Sequence, residues 1–215
     1  KEANAECVVV VDLVVERADK ACRTFGISNA YHDVYELIEK CDFDIAIDAA
    51  SIQAHHEINM AILKAGKHLI SQKPAAPDVK HFDEQIALAK KMKVKFACVP
   101  IHPLRYDIAI AKQLIKDGAI GEPGYFKCNV AHGGPEYFQY RDVDPSWFYE
   151  EGAGALVDMG VHGLQIATTM FGPVKKMSCL TTITDPERVV RSGAYNGMKM
   201  KTDKIPDVYL ISLAF

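Results

Sequence analysis

The sequence predicts an α/β fold. A doubly wound parallel sheet should occupy the first half, and an α+β domain with an open, mostly antiparallel sheet the second. Three observations predict it. From Cys7 to Val99, short β-branched runs alternate with helical stretches, the pattern of βαβ units. Beyond about Leu104 that alternation stops, and longer apolar runs are separated by a loop-rich middle. The composition, 49% hydrophobic and 25% charged, is that of an ordinary globular chain.

Each element has a local reason. Cys7–Val11 is a β-branched run suited to a buried parallel strand. Glu16–Phe25 is helical, with Gly26 as its C-cap. Asp33 can N-cap Val34–Lys40. Asp44–Ala50 is the next strand. His56–Ala65 is a helix with Ile58, Ala61, Ile62 and Ala65 on its apolar face, ended by Gly66. His68–Ser71 is a strand, Asp78 caps a helix to about Lys91, and Lys95–Val99 is a strand. Leu104–Lys116 is an amphipathic helix stopped by Gly118, and Gly124–Ala131 reads as a strand. His132–Glu151 is a long irregular loop, a kind that is usually functional. Ala155–Met170 is a helix, and Val174–Thr184 and Val208–Phe215 are strands of the second sheet.

Composition narrows the function. A net charge of −3 offers no basic field for a polyanion, which argues against nucleic acid. The apolar runs are too short for a membrane span, and Lys1 opens no secretory apolar run. The six Cys show no C-x-x-C and read as reduced core thiols, so a cytoplasmic protein is expected. Eight His without an H-E-x-x-H give no support to a metal site. The chain opens just before a strand and stops inside another. It therefore reads as the central part of a longer polypeptide.

Three places hold residues suited to chemistry. Asp12 follows the first strand, where a dinucleotide-binding unit keeps an acidic residue for the adenosine ribose; it also reads as a plain strand-ending Asp. Lys73 ends a parallel strand, where open α/β sheets bind ligands, and it also reads as a solvated loop lysine. Asp158 and His162 stand four apart in an apolar run, on one face of an ideal helix. They read as a buried structural pair, as part of a metal site, or as a general base with its polar partner. The small residues Gly152–Ala155 just before them favour the last, since they let a ligand approach the backbone.

Two segments carry a resemblance. Ala65-Gly66-Lys67-His68-Leu69-Ile70-Ser71-Gln72-Lys73-Pro74 and Gly152-Ala153-Gly154-Ala155-Leu156-Val157-Asp158-Met159-Gly160-Val161-His162 resemble the glucose–fructose oxidoreductase / inositol dehydrogenase (Gfo/Idh/MocA) family. Its pattern is roughly A-G-K-H-V-x-x-E-K-P, then G-G-G-x-L-x-D-x-G-x-H. Arg105-Tyr106 and Gly118–Glu122 also match, and the resemblance runs in order over the whole chain.

The resemblance implies a partial Rossmann-type domain over residues 1–102, without its first strand. A partial substrate-binding and oligomerisation domain follows over 103–215. It implies hydride transfer between NAD, less readily NADP, and a sugar, cyclitol or related polyol. Lys73, Asp158 and His162 would be catalytic, with His162 as acid/base. Asp12, Ala50, Ser51, His55, Gln72 and Lys73 would bind the cofactor, with Asp12 selecting NAD. Arg105, Tyr106 and Trp147 would contact substrate, and the second-domain sheet would join copies into a homo-oligomer.

Three departures stand against the pattern. Gln72 replaces the glutamate, Ala50-Ser51-Ile52 replaces a T-P-N, and the Gly-rich pyrophosphate loop is absent from these residues. An NAD-dependent glycoside hydrolase and a non-catalytic binding relative are the alternative readings.

Overall fold

The computed structural model describes residues 4–138 and 143–215; positions 139–142, part of the His132–Glu151 loop, lie outside them. The chain divides into two compact units, Lys1–Val99 and Pro100–Phe215.

In the first unit every ladder is parallel. Strand β1 (Val9–Val11) leads through helix α1 (Val15–Phe25) to β2 (Asn29–Tyr31), and these strands pair from Val9–Asn29 to Val11–Tyr31. Helix α2 (Val34–Lys40) then leads to β3 (Ile45–Asp48), α3 (His55–Lys64), β4 (His68–Ser71), α4 (Val79–Met92) and β5 (Phe96–Cys98), with strand order β3-β4-β5. In the doubly wound order 3-2-1-4-5-6 these pieces correspond to strands 3-2 and 4-5-6. Among the described residues no ladder joins β1 to β3.

The caps follow the local chemistry. Gly26 closes α1 at φ +69°, returning its N–H to Cys22. Asp33 accepts the N–H groups of Tyr35 and Glu36, and Asp78 accepts that of His81. Ile62 and Leu63 of α3, Leu69 of β4, Leu37 of α2, Phe43 and Ala89 of α4 form the core, with Val9 and Phe96 packed against it. Each large side chain buried there contributes about 1.5–3 kcal/mol. Strand β2 was not foreseen: Asn29-Ala30-Tyr31 has no periodicity of its own and is made a strand by its ladder to β1.

The second unit is antiparallel where it is sheet. A 3-10 turn (His102–Leu104) enters α5 (Tyr106–Lys116). Two further 3-10 turns, Pro135–Tyr137 and Pro145–Tyr149, precede a π-helical segment (Leu156–Gly160) that runs into α6 (Val161–Phe171). Strands β6 (Lys176–Thr182) and β9 (Val208–Ala214) pair from Lys176–Ala214 to Thr182–Val208. The short β7 (Glu187–Val189) and β8 (Lys199–Lys201) form a separate hairpin, unforeseen because each is only three residues long. Phe148, Tyr149, Val190 and Met200 are this unit's aromatic-rich core.

Two expectations are corrected. Gly124–Ala131 is not a strand; it joins no ladder among the described residues. Its alternate side chains do turn to α6: Phe126 stacks on Phe171, while Cys128 and Val130 occupy the space where a Cβ on Gly163 would stand. The alternation reported packing against a helix rather than pairing with a strand. The cysteines are free but not core thiols. Cys7, Cys128 and Cys179 are exposed, and the other three half-buried. Among the described residues no helix is long and apolar enough to cross a membrane.

Candidate functional site

The carboxyl ends of the parallel strands gather the residues assigned to the cofactor. Asp12 ends β1, where its Oδ1 accepts the Val14 N–H at 2.8 Å. Ala50 and Ser51 open the turn after β3, and Gln72 and Lys73 leave β4. Because Asp48 pairs in register with Ser71, these last two exits are neighbours, and the Gln72 N–H reaches the Asp48 carbonyl at 2.9 Å. Edges of this kind are where open α/β sheets bind ligands.

Buried polar groups hold that edge. His55 Nδ1 lies 2.6 Å from Asp48 Oδ2, with the residues 1% and 5% exposed. The other oxygen, Asp48 Oδ1, accepts the Ala50 N–H at 3.0 Å. His55, expected to touch cofactor, therefore sits beneath the turn and shapes it. Asn59 donates to Ser71 Oγ and to the Ala75 carbonyl, both at 3.0 Å, and Gln85 donates to the same carbonyl at 2.8 Å. Two helices thus clamp the loop that carries Lys73, whose peptide bond to Pro74 is cis. Neither Asn59 nor Gln85 was singled out from the sequence. A polar residue on an apolar helix face, as at Asn59 between Ile58 and Ile62, was the available signal.

The second unit collects histidines around Asp158 and His162. Asp158 lies in the π-helical segment, so the α-helical face that would pair it with His162 is not the local geometry. His162, in the first turn of α6, places Nδ1 3.0 Å from Nε2 of buried His102. The carbonyl oxygen of the Gln165 side chain, also on α6, accepts the His102 backbone N–H at 3.1 Å. Asp158 Oδ2 stands 3.6 Å from His132 Nε2. His132 Nδ1 accepts the Gly134 N–H at 2.8 Å, so the neutral ring carries its proton on Nε2, toward Asp158. His102 and His132 were both missed, because they come from separate loops and no spacing links them to Asp158 or His162.

The small residues before the π segment have a structural reason. Gly154 has φ +93°, and a Cβ there would run into Ile205. A side chain of the chain itself, rather than a ligand, fills that place.

The residues assigned to substrate have separate surroundings. Arg105 holds Asp107 with two bonds, 3.0 and 2.6 Å, at the start of α5, and Tyr106 beside it is 81% exposed. Trp147 is half-buried against the Phe148–Met200 core.

One further cluster anchors this loop region. Glu136, 1% exposed, accepts from Tyr149 Oη at 2.5 Å and from Arg188 Nη1 at 2.6 Å. Arg188 Nη2 also reaches Asp207 at 2.6 Å. Burial and then the bond to Glu136 push the Tyr149 phenol far above its ordinary range, so it remains a donor.

Comparison with known proteins identifies the two units. Residues 1–99 match the profile described as the oxidoreductase family, NAD-binding Rossmann fold. Residues 108–210 match that of the GFO/IDH/MocA C-terminal domain. The levoglucosan dehydrogenase of Pseudarthrobacter phenanthrenivorans is 28% identical over 203 residues, which are 88% of this chain and 49% of that protein. The inositol 2-dehydrogenase of Salmonella paratyphi B is 33% identical over 202 residues, 87% of this chain and 56% of that protein. A solved NAD binding oxidoreductase from Klebsiella pneumoniae has the same fold, with a TM-score of 0.80 at 24% identity over 98% of this chain and 55% of that one. The chain spans about half the length of the curated relatives it matches.

Proposed function

This chain belongs to the Gfo/Idh/MocA family, and on that premise we propose that its protein is an oxidoreductase moving a hydride between NAD and a sugar, cyclitol or related polyol. Relatives named for levoglucosan and inositol support the substrate class. The observation that carries the reading is the treatment of Asp158 and His162. Both are half-buried, and each has another histidine beside it.

The residues present fit NAD at the strand edge. Asp12 follows β1, which suits a carboxylate for the adenosine ribose, and its charge, with Arg17 Nη1 3.9 Å away, would oppose a 2′-phosphate. The exits Ala50–Ser51 and Gln72–Lys73 would line the path toward the nicotinamide. Bound NAD supplies the hydride acceptor.

The chain's own residues handle the proton. In the oxidative direction His162 Nε2 would take the hydroxyl proton and Asp158 would hold the oxygen that loses it; Lys73, at the strand edge of its own unit, is the further residue proposed as catalytic. Arg105, Tyr106 and Trp147 would contact the rest of the substrate. Leu180 and Leu210, paired in register and 74% and 67% exposed on one face of the β6–β9 sheet, support homo-oligomerisation through that face. Six free thiols suit a cytoplasmic setting.

The test uses the full-length polypeptide with NAD or NADP and, as probes, myo-inositol, scyllo-inositol and levoglucosan. Stoichiometric NADH formation with one of them, preferring NAD and lost in Lys73→Met, is the expected result. Cleavage of a glycoside without net NADH would identify a hydrolase. Binding of NAD and sugar without turnover would identify a non-catalytic relative. A preference for NADP would overturn the role of Asp12.

A further inference from the structure

His102 lies just before α5, in a turn that no catalytic motif predicts. It is buried at 9% exposure. Its Nε2 stands 3.0 Å from His162 Nδ1, and the two rings meet edge to face. Its backbone N–H is held by the side chain of Gln165, three residues beyond His162 on α6. Its other nitrogen, Nδ1, is buried with no hydrogen-bond partner among the described residues.

That combination is costly as plain packing. A leucine or phenylalanine would fill the same space without leaving a buried polar atom unsatisfied. The imidazole makes one side-chain hydrogen bond that the structure gives, and it goes to His162.

We infer that His102 is a positioning residue for His162: it accepts the Nδ1–H of His162 and so leaves Nε2 of that ring bare. The inference rests on the acid–base reading of His162 and deepens it. A neutral imidazole has one proton for two nitrogens. At 3.0 Å one proton lies between His162 Nδ1 and His102 Nε2. If His102 donates it, the proton of neutral His162 is on Nε2, and that nitrogen cannot accept a hydroxyl proton. If His162 donates it, Nε2 keeps its lone pair and His102 carries its own proton on Nδ1. Only the second arrangement makes His162 a base. The logic is that of any base whose second ring nitrogen is held by an orienting acceptor. Here the acceptor is a neutral ring, so it orients without adding a charge. The Gln165 bond fixes where His102 enters relative to α6, and thus the line of the Nε2–Nδ1 contact.

The experiment reads the tautomer directly, by ¹⁵N NMR of the histidine rings in the full-length protein without cofactor, at a pH where His162 is neutral. The wild type should show His162 protonated on Nδ1 and bare on Nε2. His102→Phe should lose that preference, and His102→Gln, whose amide oxygen can accept the same proton, should keep it. With NAD and the best of the three probe polyols, His102→Phe should lower kcat about 10-fold, the scale of one ordinary hydrogen bond, with KM for NAD unchanged. His102→Gln should stay within a few-fold of wild type. A wild-type His162 with bare Nδ1, or an unchanged tautomer in His102→Phe, overturns the inference. Should His102→Phe fail to fold, the wild-type and His102→Gln spectra still decide. If His162→Ala keeps its kcat, the acid–base reading falls while the tautomer measurement still stands or fails alone.

Discussion

Two aspartate–histidine neighbourhoods in this chain use the same residue types differently. In the first unit, Asp48 and His55 are sealed off at 5% and 1% exposure and bonded to each other at 2.6 Å, with Asp48 also tied to the Ala50 N–H. In the second, Asp158 and His162 are half-buried, and His132 and His102 stand beside them. The first pair is satisfied by its own members and shapes a turn. The second exposes part of each group and has other histidines beside it. Residue type does not separate structure from chemistry here; burial and partners do.

The largest expected effect tests the half-buried pair. His162→Ala should lower kcat by about 10²–10⁴, the usual worth of general acid–base catalysis. At about 1.4 kcal/mol per tenfold, that is roughly 3–5 kcal/mol of barrier. Tm should fall by less than in Asp48→Ala: the ring is half-buried, though its removal leaves buried His102 without that bond. Steady-state kinetics and a thermal melt on the same sample check both halves. A large fall in Tm with an intact rate in the surviving folded enzyme would make the two neighbourhoods alike and break the comparison.

Asp48→Ala should do the reverse. It leaves His55 buried without its partner and the Ala50 N–H without its acceptor, which should cost about 3 kcal/mol, between losing a buried hydrogen bond and breaking a buried ion pair. Denaturant unfolding measures this. At saturating NAD and low temperature, kcat should remain within a few-fold. A fall in kcat as large as that of His162→Ala would show that His55 does more than shape its turn.

How much of this was legible follows the range of the forces involved. Helix α4 and its cap Asp78, the exact strand His68–Ser71, and the Lys73 position were readable because periodicity and capping are local. Strands β2, β7 and β8 were not, because three-residue strands exist through their ladders. Gly124–Ala131 misled because alternation marks a packed face whether its neighbour is a strand or a helix. His102 and His132 were invisible because they reach the site from turns 60 and 26 residues from the groups they serve, His102 to His162 and His132 to Asp158. The π segment escaped because nothing in its composition separates it from an α-helix.

A smaller effect tests whether buried support alone can alter chemistry. Asn59→Ala removes both bonds to Ser71 Oγ and the Ala75 carbonyl, and Gln85 retains its own bond to that carbonyl. About 1–3 kcal/mol of stability should be lost. If the clamp fixes Lys73, kcat should fall further than in Asp48→Ala. An unchanged kcat would mean that Lys73 needs no such support.

The smallest effect comes from a third aspartate–histidine contact, which extends the comparison to the exposed surface. Asp78 Oδ1 accepts the His81 backbone N–H at 2.9 Å and lies 2.8 Å from His81 Nδ1. The backbone N–H first, and then the imidazole, hold the Asp78 carboxyl below its ordinary 3.8. A folded-state value lower than the unfolded one means that the ionised form stabilises the fold. That stabilisation is fully present above pH 3.8 and is lost as pH falls through the depressed value. Asp78→Ala should therefore lower Tm less than Asp48→Ala does, and the difference from wild type should shrink on acidification below the usual carboxylate range. His81→Ala should change Tm less still, since the backbone N–H survives the substitution and remains capped. Melts of wild type and both variants across that acid range separate the contributions. If His81→Ala matched Asp78→Ala at neutral pH, the imidazole rather than the cap would dominate. Exposure would then no longer order the three aspartate–histidine contacts.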